Sequence, residues 1–146
     1  MLENINVTTN ASFKIETYRS ADNCALAGWH IHPEYELVFI KNGDGILHID
    51  SIKTPYRNGT LVFLAGNIPH ADFGNKEHPD NVEIVIQFKK EFLDEKLNVF
   101  PEFYAIKKLI KKTQHILVFD SKVKQKLERE FTRFKNLDNQ GKLINF

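Results

Sequence analysis

Turn-forming residues in this chain are confined almost entirely to its front part. Six of the seven glycines and four of the five prolines precede residue 91. Both residues punctuate strands and break helices, so the asymmetry predicts a β region followed by a helical one. Charge shifts at the same place. Eight basic face eleven acidic side chains up to residue 90, and twelve face eight beyond it. We therefore expect a barrel over residues 1–90 and a helical segment packed on it over 91–146. With 146 residues, 42% hydrophobic and 27% charged, the chain can bury one real core. Its formal net charge of +1 argues against a free-standing nucleic-acid coat. No apolar run approaches membrane-spanning length, and residues 1–14 hold neither a basic leader nor an apolar stretch. Cys24 is the only cysteine, which excludes disulfides within the chain and points to a reducing cytoplasm.

Short alternating or β-branched runs predict strands over 12–19, 24–32, 35–41, 45–50, 60–65, 70–73 and 82–88. Asn42-Gly43-Asp44-Gly45 reads as a hairpin turn. Many short strands at regular spacing predict a sandwich or barrel. Beyond residue 90 the pattern predicts a helix over 90–98, a second over 102–113 with Pro101 in its first turn, a strand over 114–119, and a helix from Asp120 or Ser121 to about Leu137. Phe103, Ile106 and Ile110 form the apolar stripe of one helix; Val123, Leu127, Phe131 and Phe134 form that of the other. The Lys/Arg rows opposite them read as solvated faces. The last six residues read as the first turn of a further helix that continues past residue 146.

The histidines carry the sharpest chemical signal. His48 reads as a surface or hydrogen-bonded core histidine, His78 as an exposed loop residue, and His115 has no assigned role. His30 and His32 differ because residues i and i+2 of a strand point to the same face. Glu36 follows four residues later inside the apolar run Tyr35-Glu36-Leu37-Val38-Phe39-Ile40. A carboxylate buried there needs a partner or a cation. His70 follows Pro69 after a separate strand–turn unit. If the two hairpins face each other, three imidazoles and one carboxylate converge, a donor set suited to divalent Zn, Ni, Fe, Mn or Cu with positions left open for a ligand.

The stretch from Trp29 to Gly43, with His30, His32, Glu36 and Gly43, resembles the first cupin motif. The stretch from Gly59 to His70 is similar to the second. Cys24, Ala65, Asn67 and Gly74 stand where the family pattern has Gly, Pro, Gly and Asn. The phrases His-Pro-Glu-Tyr-Glu-Leu and Gly-x-Leu-Val-Phe-Leu…Asn-x-Pro-His most resemble the amino-terminal sensor domain of AraC-type transcription regulators. The likeness continues through Phe100-Pro101-Glu102-Phe103 and the helices beyond.

That resemblance implies a mostly β fold, a cupin (double-stranded β-helix) barrel followed by a C-terminal helical segment. It further implies a cytoplasmic sensor, not an enzyme, that binds a small polar effector in the barrel. His30, His32, Glu36 and His70 would hold a divalent metal or bind the effector directly. DNA would be contacted only through a helix-turn-helix domain absent from this chain, and the full-length protein would be a homodimer. The competing expectation is a small metal-dependent cupin enzyme, a dioxygenase, isomerase or epimerase, using the same four residues as ligands.

Overall fold

A computed structural model describes residues 11–19, 28–71, 73, 78–113 and 116–146. Five strands form one antiparallel sheet in the order β1 (Phe13–Arg19), β6 (Val82–Phe88), β2 (Tyr35–Ile40), β5 (Thr60–Leu64) and β7 (Ile116–Val118). A second pair, β3 (Gly45–Ile49) and β4 (Ile52–Tyr56), forms the opposing layer. Two single bridges widen that layer: Ile49 pairs with His70, and His70 pairs with His30. The order across it is thus β4, β3, the His70 segment and the His30 segment. Two antiparallel layers closed around one interior form the cupin-type barrel.

The central strands are apolar almost throughout because both of their faces are covered. Val38, Ile40, Val62, Leu64 and Val85 point into the barrel, where they meet Leu47, Ile49, Tyr56 and Phe73. Tyr35, Phe39, Leu61, Phe63, Ile84, Ile86 and Phe88 point the other way, under the helices. Period-two alternation assigns each side chain to its face.

The helical layer comprises α1 (Lys90–Val99), a 3₁₀ turn (Pro101–Phe103), α2 (Tyr104–Lys112), α3 (Ser121–Lys135) and α4 (Asn139–Asn145). Asp120 caps α3 by accepting from the Val123 N–H at 2.9 Å. On α3, Phe131 stacks on Phe39 with ring centroids 5.0 Å apart. Phe134 meets Phe13 edge-on at 5.4 Å, and Phe146, just past α4, joins the same cluster. One apolar core therefore spans residue 90, and β7 adds the back part's own strand to the barrel sheet. Among the described residues no helix is long and apolar enough to cross a membrane.

Several expectations need correction. The β-rich barrel with a helical segment is as expected, but among the described residues strand and helix take 34% and 36%, so "mostly β" is approximate. The strands expected over 24–32 and 70–73 reduce, within the described residues, to bridge residues His30, Ile31 and His70; residues 24–27 and 72 lie outside them. Strand β4 was not expected. It is an edge strand with four exposed residues of five and with Pro55 inside it, so neither alternation nor composition marks it. Ile106, read as part of a buried stripe, is 45% exposed. The expected helix over 102–113 begins as the 3₁₀ turn that Pro101 opens.

Candidate functional site

The site forms where the two layers meet. The backbone N–H of His30 donates to the His70 carbonyl at 2.9 Å, and the N–H of His70 donates back to His30 at 3.0 Å. This reciprocal pair sets residues forty positions apart side by side. The turn before His70 is held by two local features. Asn67 adopts a positive φ of 62°, a conformation that asparagine tolerates better than most side chains. That explains how it stands where the cupin pattern has glycine. Its N–H donates to the His32 carbonyl at 2.7 Å. At Gly66 a Cβ would fall 2.0 Å from the Pro33 carbonyl oxygen, so glycine is required for the two segments to approach.

All four sequence-derived residues are brought together and buried: His32 and His70 are 2% exposed, Glu36 4% and His30 9%. One ligand atom from each of the three histidines lies within 4.8 Å of the others. The His30 and His70 rings are 4.2 Å apart. Glu36 closes the group, with Oε2 at 3.2 Å from Nε2 of His32 and Oε1 at 3.6 Å from Nε2 of His70.

Each imidazole is oriented by the backbone. Nδ1 of His30 faces the Gly28 carbonyl at 3.0 Å, Nδ1 of His32 the Glu34 carbonyl at 3.1 Å, and Nδ1 of His70 the Ile68 carbonyl at 2.8 Å. A carbonyl only accepts, so each Nδ1 carries a proton and each Nε2 is left facing the interior of the group. This is the outer-shell pattern that fixes metal-binding histidines. Among the described residues Nε2 of His70 has no hydrogen-bond partner. A buried acceptor beside a carboxylate is unfavourable until an electropositive group lies between them.

The electrostatics agree with this. Burial pushes Glu36 toward the neutral acid, but the hydrogen bond with His32, the fields of His70 and His32, and the amide of Gln87 outweigh it and hold the carboxyl below the usual range. Burial pushes the His70 imidazole down, and the opposing pull of Glu36 is smaller. An ionised acid facing a neutral imidazole suits a divalent cation or a hydrogen-bonding ligand.

Two residues beyond the sequence reading matter here. Gln87, on β6 opposite Glu36, donates to its Oε2 at 2.8 Å. The only sequence signal was a polar residue at an inward position of a buried strand. Lys124, placed in neither the apolar stripe nor the solvated row of its helix, is 5% exposed and lies against the far end of β2. His48 stands apart from the group, its ring beside Trp29 at 6.2 Å. His78 is half-buried against Gly43 rather than exposed, and His115 lies outside the described residues. Among the neighbouring aromatic rings, Phe73 lies 5.9 Å from His70. Tyr35, Phe39 and Phe63 serve the helix side instead. A separate apolar cavity of about 450 Å³ lies on that side, between Leu37, Leu61 and Ile86 of the sheet and α3, and shares no residue with the histidine group.

No protein-family model and no curated protein matches the sequence. Solved structures do. Apo ToxT K231A of Vibrio cholerae is 11% identical with a TM-score of 0.52, over 93% of this chain and 52% of that one. ToxT bound to (E)-4-(8-methylnaphthalen-1-yl)but-3-enoic acid is 14% identical with a TM-score of 0.48, over 91% of this chain and 53% of that one. A predicted oxalate decarboxylase of Thermotoga maritima is 20% identical with a TM-score of 0.40, over 53% of this chain and 64% of that one. The chain spans about half the length of ToxT. Of these three likenesses, the one to apo ToxT K231A speaks for a shared fold, which runs through the barrel and the helical layer together.

Proposed function

We propose that this chain is the effector-sensing domain of an AraC-type transcription regulator, with its effector site at His30, His32, Glu36 and His70. The observation that carries the reading is a buried carboxylate gathered with three imidazoles whose Nδ1 protons are all committed to the backbone. Such a group turns its carboxylate oxygens and Nε2 atoms toward one shared ligand. These four residues would hold a divalent Zn, Ni, Fe, Mn or Cu ion, which when bound supplies open positions for an anionic or hydroxylated effector. Without an ion, the same acceptors would take hydroxyl donors from the effector directly.

The helical layer supports a regulator over an enzyme. Strand β2 begins one residue before Glu36, and the residue after its last, Lys41, is held by α3: the Lys41 carbonyl accepts from Lys124, and its ammonium pairs with Glu128 at 3.7 Å. A shift of Glu36 along β2 would thus reach α3. Such coupling requires the effector to bind two arrangements of the domain with different affinity. DNA contact would belong to a separate helix-turn-helix domain, and the intact protein would act as a homodimer in the cytoplasm.

Genomic DNA capture tests this. The intact gene product should retain discrete DNA fragments, while residues 1–146 alone should retain none. Sequence-specific retention by residues 1–146 would contradict the division of labour. A gene product that retains no DNA but transforms a small substrate in a metal-dependent way would favour the cupin enzyme.

A further inference from the structure

Gln87 lies on β6 directly across from Glu36 and is 4% exposed. Its two amide ends are treated differently. Nε2 donates to Oε2 of Glu36 at 2.8 Å, whereas Oε1 has no hydrogen-bond partner among the described residues. A buried amide with one unsatisfied end is a worse core residue than a leucine or methionine of similar volume. Packing therefore does not account for it, and its donor end has one recipient. That recipient is the Glu36 oxygen on the His32 side. The other oxygen, Oε1, is left on the His70 side, 3.6 Å from Nε2.

We infer that Gln87 is a positioning residue for a divalent metal. It pins Oε2 of Glu36 so that Oε1 is presented to the ion beside the histidines as a single-oxygen ligand. The inference rests on the metal-binding form of the proposed function. A carboxylate with both oxygens untethered can turn and offer both to one ion, taking a position that an effector needs. One tied oxygen prevents that turn. On the other side of Gln87 in the same cross-strand row stands Lys14, which pairs with Glu16 at 3.2 Å. It provides a control that touches the row but not the carboxylate.

The test is titration of Co²⁺ into the whole chain, read by its visible absorption, which reports coordination. Wild type should bind one Co²⁺. Gln87→Met should bind it 10- to 100-fold more weakly, as loss of such outer partners typically does, and with an altered band shape at saturation. Lys14→Met should match wild type in both. If Gln87→Met does not fold, Gln87→Asn, too short to reach Glu36, carries the same expectation. A folded Gln87 variant with unchanged affinity and spectrum overturns the inference and leaves the metal reading standing. Weaker binding with an unchanged spectrum also overturns it, since that is the mark of a structural role. No Co²⁺ binding by wild type overturns both.

Discussion

Strand β2 has a buried charge at each end, and the two are handled in opposite ways. At the Lys41 end, the Lys124 ammonium of α3 donates to the carbonyls of Lys41 and Asn58 and lies over the Phe39 ring, 5.6 Å from its centroid. Gly59 leaves it room: a Cβ there would fall 2.8 Å from Nζ. At the other end, Glu36 accepts from Gln87 and faces Nε2 of His32 and His70, whose Nδ1 atoms are turned to the backbone. The cation is surrounded by acceptors, which makes it a structural tie. The anion has one amide donor, from Gln87, and otherwise faces imidazole nitrogens with room for a shared ligand, which makes it a binding site. The sign and satisfaction of the surroundings, rather than burial alone, separate the two roles.

The comparison breaks hardest at the cation. Lys124→Met keeps the length and removes two charge-assisted hydrogen bonds, leaving two carbonyls short of a donor. We expect a loss of about 2–3 kcal/mol in urea unfolding, with metal affinity unchanged. A stable variant would mean that α3 is held by its apolar stripe alone. The anion should respond the other way. Replacing Glu36 and its amide partner together, as Glu36→Leu with Gln87→Met, removes both halves of the buried pair, so the metal-free protein should stay within about 1 kcal/mol of wild type while metal binding collapses. Destabilisation of that variant would instead mark Glu36 as a structural tie like Lys124.

The smallest expected effect is in pH. His70 and Glu36 both have depressed folded-state values. A group of either kind then contributes stability above its unfolded value, which is lost as pH falls through the folded one. The metal-free protein should therefore weaken on acidification, first as pH falls below the ordinary histidine range toward the depressed value of His70, and then below the ordinary carboxylate range as Glu36 protonates. Urea midpoints measured from pH 8 down through the carboxylate range check this. In the His70→Ala variant the first part of the loss should vanish.

How much of this was legible in the sequence differs between the two ends. The anionic site was readable because strand geometry puts His30 and His32 on one face, and a glutamate in an apolar run advertises its own cost. That His70 joins them was a matter of pairing between distant segments, which only the reciprocal bonds of His30 and His70 establish. Gln87 owes its role to cross-strand register, which spacing within one strand does not reveal. Lys124 is the instructive miss. With Leu127, Phe131 and Phe134 it completes the 3-4-3 spacing of a buried stripe. Its residue type, set between exposed Lys122 and Lys126, concealed that position. Strand β4 was hidden for a simpler reason: an exposed edge carries no apolar alternation.

The central claim is that one hollow gathers His30, His32, Glu36 and His70 into a single site for an electropositive ligand. Calorimetric titration of Zn²⁺ into the wild-type chain and into His70→Ala tests it most directly. One ion per chain, with affinity at least 100-fold weaker in the variant, is the predicted result. An equal affinity in both proteins, or no zinc binding by the wild type, would contradict it.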